Sequence, residues 1–198
     1  ELNDAAVNYA DYKCTLPADC CDDFPLAARL WLLKGGTTES DWRDYGIRYS
    51  PSLQRVVLPV YDAERNLEWY QLRAIEKWQR PKYLQPSADR SRVLFKSKPI
   101  NTGSRRCIIT EDILSSIKTG KCEQSFSLLG TKPTTFHINF LSKFDEVIIW
   151  LDSDRAGQKG AYNLRKSLAM FTEVRCISTE LDPKYLTLEQ IKEKIGGM

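Results

Sequence analysis

The feature that most constrains this chain is the alternation running through its second half. Four short β-branched runs, Arg106 to Thr110, Ser125 to Leu129, Glu146 to Leu151 and Val174 to Ser178, are separated by helical patterns. The runs show little polar alternation, so each strand is expected to be covered on both faces. The clearest helix is Ala156 to Met170, where Ala161, Leu164 and Leu168 recur at helical spacing. Strand and helix in turn predict an α/β fold with a mainly parallel sheet flanked by helices.

The first half follows another pattern. Phe24 to Lys34 is expected to be a helix ended by Gly35 and Gly36, and Thr38 to Tyr45 a second one stopped near Gly46. Arg55 to Tyr61 and Leu67 to Ile75, joined by the turn-like Asp62 to Asn66, predict a hairpin in which Pro59 marks an edge or a bulge. Pro81, Pro86 and Pro99 then favour an extended, irregular path. The change of pattern divides the chain into a smaller mixed α+β subdomain over 1–104 and an α/β domain over 105–198.

Charge follows the same division. From Gln71 to Arg106 ten Lys or Arg stand against Glu76 and Asp89, a surplus of eight in a chain whose net charge is only +3. Such a window suits either a polyanion partner or a solvated face. With 198 residues the chain is long enough to bury a core, and neither a collagen-like nor a disordered composition is present. Residues 1–20 lack signal-peptide order and no apolar run approaches a membrane span, so a cytoplasmic protein with no membrane partner is expected.

The six cysteines include no CxxC pair. Reduced thiols and no zinc are expected, since Cys14, Cys20, Cys21 and the lone His137 fit no ordinary zinc spacing. His137 itself is expected to be a helix or loop residue without a catalytic role.

Acids follow three of the expected strands: Glu111 after RCIIT, Asp152 and Asp154 after VIIW, and Asp182 a few residues beyond Ser178. The carboxyl ends of parallel strands face one crevice, where acids distant in sequence converge. Carboxylates brought together repel and call for a hard divalent cation, Mg²⁺ above all, which commonly shares its coordination with phosphate oxygens. Each acid taken singly also suits a helix N-cap, and Asp152 or Asp154 stands just before the helix that begins near Ala156.

TED at 110–112, SLLGT at 127–131, VIIWLDSDRAGQKGAYNLR at 147–165 and LDPKYL at 181–186 together resemble the TOPRIM domain of topoisomerases, nucleases, recombination-repair proteins and DnaG-like primases. Upstream, YGIRYSPSLQRVVLPVYDAERNLEWYQLRAI and RPKYLQPSADRSRVLFKSKPI resemble the RNA polymerase core of bacterial and phage DNA primases. The resemblance implies a primase core, of phage type, that makes short RNA primers for DNA replication from ribonucleoside triphosphates on single-stranded DNA. It implies that Glu111 is the acid of the first TOPRIM motif, that Asp152 and Asp154 are the metal-site pair, and that Asp182 is a further metal acid. Mg²⁺ or Mn²⁺ is the implied cofactor. Arg73, Lys82 and Lys96 stand where such primases carry basic residues lining the nucleotide and template groove, and Trp69, Tyr70, Trp78, Tyr83 and Phe95 lie among them as stacking or packing rings.

This chain departs from the family pattern at Asp112, which stands where a glycine is usual, and at Ser115, which stands where an acid is usual. The familiar zinc-binding module is not evident in residues 1–45, and the first residue is Glu1, so a piece of a longer polypeptide is expected, with a replicative helicase fused or separate. A phage-encoded protein would act in the host cytoplasm. Two rival readings remain at this stage: a TOPRIM nuclease using the same carboxylates, and a non-catalytic nucleic-acid-binding module.

Overall fold

The computed structural model describes residues 14–98 and 103–196. Pro99 and the first thirteen residues, on which part of the signal-peptide and zinc-module reading rested, lie outside the described residues. Helices α1 (Leu26–Lys34) and α2 (Glu39–Asp44) come first. At α2, Thr38 and Asp41 form a capping box, each side chain taking up a backbone N–H that the first turn leaves free.

A four-stranded antiparallel sheet follows, in the order β1 (Arg48–Ser50), β2 (Arg55–Tyr61), β3 (Leu67–Ala74) and β4 (Tyr83–Leu84). The hairpin expected around residues 62–66 is β2–β3. Strand β1 reaches only Arg55 to Val57, so among the described residues Pro59 sits where β2 pairs with β3 alone, and the register shifts at Val60/Tyr61. A residue with no N–H to donate is tolerated at such a place. Val56, Leu58, Val60 and Trp69 pack from this sheet against Ile113, Leu114 and Ile117 of α3 (Ile113–Thr119).

The second sheet has the order β5 (Phe95–Lys96), β7 (Ser125–Ser127), β6 (Arg106–Thr110), β8 (Glu146–Trp150) and β9 (Glu173–Cys176). Strands β7, β6, β8 and β9 are parallel, while β5 runs antiparallel to β7. β5 therefore carries chain from before residue 104 into the second sheet. Burial on both faces appears as two packing sets. Cys107, Ile109, Val147 and Ile149 meet Leu141 of α4 (Thr135–Leu141) and Leu164 and Leu168 of α5 (Arg155–Leu168). Ile108, Ile148 and Trp150 meet Ile191 and Ile195 of α6 (Leu188–Gly196) on the other side. No helix of the described residues is long and apolar enough to cross a membrane.

Strand order fixes where chemistry can occur. From β6 the chain moves to β7 on one side and then to β8 on the other, which leaves a crevice beyond the carboxyl ends of β6 and β8.

Candidate active site

Glu111 and Asp112 leave the end of β6, Asp152 leaves β8, and Asp182 arrives on the connection from β9 to α6. Asp112, Asp152 and Asp182 each place a carboxylate oxygen within 4.8 Å of the other two. Glu111 is held by the loop over 127–131: Ser127 Oγ donates to its carbonyl at 2.9 Å and the Gly130 amide at 3.0 Å. That loop turns sharply, with Leu129 at φ 57° and Gly130 at φ 149°.

The acids divide by what they touch. Glu111 Oε2 and Asp152 Oδ1 are buried and have no hydrogen-bond partner. Burial first, and then the neighbouring Asp152, Asp154 and Asp112 charges, push the Glu111 carboxyl up to about 7, with the Asp152 amide pulling partly back. Burial and Asp182 likewise raise Asp152 to about 6, against the opposing pull of Lys184. Two buried carboxylate oxygens without partners, on residues lining one cavity, are a donor set that fits a hard divalent cation.

Asp112 and Asp182 are already engaged. Asp112 caps α3, accepting from the Ser115 amide at 3.0 Å and from Ser115 Oγ at 2.8 Å. Lys184 Nζ donates to Asp112 at 2.9 Å and to Asp182 at 2.7 Å, with the lysine side chain only 14% exposed. Asp154 has yet another place. It is exposed, and it caps α5 by accepting from the Gly157 amide at 2.8 Å, so the capping alternative weighed for this residue describes its contact.

A cavity of about 350 Å³ joins these acids to the first sheet, with Glu111, Asp112, Asp152 and Asp182 on one wall and Arg73 and Lys82 on the other. The Arg73 guanidinium lies 5.3 Å from the Trp31 ring and 5.1 Å from the Tyr83 ring, held between two π faces. Lys96 is not in this cavity. It stands 5.7 Å over the Phe140 ring and lines a separate recess with Tyr61 and Lys98.

Of the five rings singled out in the sequence, Trp69 and Phe95 belong to the core, Trp78 is 69% exposed, and Tyr83 alone lines the cavity, which Trp31 and Tyr185 line as well. His137 is buried, its Nδ1 beside the Thr134 amide at 3.0 Å and its Nε2 beside the Val93 carbonyl at 2.8 Å, so neither ring nitrogen is free for a ligand. Sequence reasoning assigned no role to Lys184 or Trp31. The lysine was visible inside LDPKYL as a lone cation beside an acid, whereas nothing local marked Trp31.

The family model described as Toprim-like matches residues 109–186, the segment that carries every acid of the site. No curated protein matches the sequence. Among solved structures, the zinc-binding and RNA polymerase domains of the Aquifex aeolicus primase match with a TM-score of 0.72 at 20% identity, over 87% of this chain and 55% of that one. A DnaG primase catalytic domain bound to single-stranded DNA matches with a TM-score of 0.68 at 20% identity, over 86% and 70%. The primase fragment of the bacteriophage T7 primase-helicase protein matches with a TM-score of 0.61 at 14% identity, over 91% and 80%. The chain thus carries a Toprim-like domain and has the fold of a DnaG-type catalytic core, and it spans about half of the Aquifex chain.

Proposed function

We propose that this chain is the catalytic core of a DNA primase, which joins ribonucleoside triphosphates into short RNA primers on single-stranded DNA by metal-dependent nucleotidyl transfer. One observation carries the reading: Glu111 and Asp152, each with a buried unpartnered oxygen, line the same cavity as Arg73 and Lys82. Carboxylates for a cation and cations for phosphates on facing walls are what phosphoryl chemistry on a triphosphate requires.

Glu111 and Asp152 would hold Mg²⁺ or Mn²⁺, with Asp154 and Asp182 adding negative charge nearby. Bound there, the ion would supply activation of the attacking 3′ hydroxyl and neutralisation of charge on the departing pyrophosphate. Arg73, held between its two rings, would bind triphosphate oxygens without first having to be ordered, and Lys82 would add a second phosphate contact. Lys96, outside the cavity, falls to the template strand. No side chain need serve as a dedicated base. In this reading residues 1–104 supply the basic wall and residues 105–198 the acidic one, with β5 tying the first to the second.

The DnaG relative solved with single-stranded DNA supports the template class, and the T7 relative, a fragment of a primase-helicase protein, supports a replicative helicase as partner. The test is incorporation of labelled ribonucleotides on single-stranded DNA with Mg²⁺ or Mn²⁺, comparing the chain with Asp152→Ala. Metal-dependent short RNA that disappears in the variant is expected. Cleavage of nucleic acid without incorporation would replace this reading with a nuclease, and salt-sensitive DNA binding without either reaction would replace it with a binding module.

A further inference from the structure

Two-metal phosphoryl-transfer sites set their ions about 3.5–4 Å apart among shared carboxylates. In this chain the clustered acids Asp112, Asp152 and Asp182, whose carboxylate oxygens lie within 4.8 Å of one another, already contain a cation. Lys184 Nζ contacts two of the three, at 2.9 Å and 2.7 Å, from a side chain that is 14% exposed. Asp112 is further committed to Ser115 through both of its oxygens. The buried carboxylate oxygens left without a partner among the described residues are Glu111 Oε2 and Asp152 Oδ1.

We infer that Lys184 is a tethered cation standing in for a second metal, so that the site takes one divalent ion, between Glu111 and Asp152. The inference rests on the metal-dependent reading above and adds to it the number of ions and the residue that sets the number. The electrostatic argument is direct. Four clustered carboxylates cannot all stay ionised without compensation, and an ammonium in contact with two of them supplies part of it from within the chain. The loop that brings Lys184 is short, since Asp182 and Lys184 flank Pro183 in one 3-10 turn, so the lysine and its acid arrive together. Ser115 fits the same account. It uses both its amide and its hydroxyl to orient Asp112, and adds no charge of its own. Lys184 is accordingly a positioning residue that acts on the cation through the acids.

The measurement is the stoichiometry of Mn²⁺ binding, followed by the electron paramagnetic resonance signal of the free ion, for the unaltered chain, Lys184→Gln and Lys184→Arg. One tightly bound ion is expected in the unaltered chain, two in Lys184→Gln, and one again in Lys184→Arg, which keeps the charge. Two tight ions in the unaltered chain would overturn the role of Lys184 while leaving metal-dependent chemistry in place. A single ion in folded Lys184→Gln would also overturn it, reducing the lysine to a loop anchor. No bound ion in any of the three would overturn the metal reading of the site itself, and this inference with it.

Discussion

Asp154 is a residue with two physical roles that a single substitution would confuse. Its carboxylate caps α5 through the Gly157 amide, and its charge raises the pKa of Glu111. Asn caps about as well as Asp, whereas Ala cannot, and losing the cap costs about 1 kcal/mol. Asp154→Ala is therefore expected to lower the melting temperature by about 2–4 °C, and Asp154→Asn to leave it unchanged. If the charge serves the site as proposed, both variants lose primer synthesis, and melting curves beside the incorporation assay separate the two roles.

Glu111 makes a pH prediction at the same scale. Its carboxyl ordinarily titrates at 4.5 and stands at about 7 in the fold, so between these values the folded chain binds more protons than the unfolded one. Stability in chelator then falls as pH rises from about 4.5 to about 7, because the fold must give up a proton that it holds more tightly. Glu111→Gln is expected to remove that part of the slope in thermal denaturation. Asp19, Asp62 and Asp145, whose pKa values are lowered, act in the opposite sense at lower pH and are common to both proteins. Metal binding competes with the same proton, so Mn²⁺ affinity should rise across this window.

At the scale of elements, α5 is seated against both loops that build the site. A Cβ added at Gly157 would lie 2.0 Å from the Asp152 carbonyl oxygen, and one at Gly160 would lie 2.7 Å from Thr131. Glycine is needed at residue 157 because the helix passes directly under the backbone that carries Asp152. Gly157→Ala is expected to cost about 1–3 kcal/mol and to weaken Mn²⁺ binding. Denaturant melts together with a Mn²⁺ titration check this, and unchanged values in both would refute the close seating.

Some element ends departed from expectation for visible reasons. The run expected to be strand through Leu129 stops at Ser127, where the chain turns back so that the Gly130 amide can reach the Glu111 carbonyl. β9 was expected to be covered on both faces, yet none of its four residues is buried, because it lies at the sheet edge.

For the whole molecule, the proposed function depends on two sheets meeting at one cavity. The basic wall comes from β3 and the residue just before β4, and the acidic wall from the ends of β6 and β8 and the connection from β9 to α6. Arg73 and Lys82 share that cavity and Lys96 does not, so their variants should separate kinetically. Arg73→Ala and Lys82→Ala are expected to raise KM for ribonucleotides several-fold. Lys96→Ala should spare that constant and lower the slope of log DNA affinity against log salt by about 1, the loss of one phosphate contact. Steady-state kinetics and fluorescence anisotropy across a salt series decide the matter.

The sequence by itself determined the strands β2, β3, β6 and β8, the hairpin, the long helix α5 and the segments that bear the acids. Apolar runs, turn residues and caps act through near neighbours, so they are legible one segment at a time. It also carried Glu111 and Asp152 as candidates from their places at strand ends, whereas Arg73 and Lys82 were picked out of the basic window by the primase resemblance. Only the tertiary structure decided that Asp154 points into its own helix, that Lys96 looks into another recess, that Trp31 braces Arg73, and that Lys184 sits between Asp112 and Asp182. Those contacts join side chains far apart in the chain, and strand order together with loop return, not local pattern, sets which of them meet.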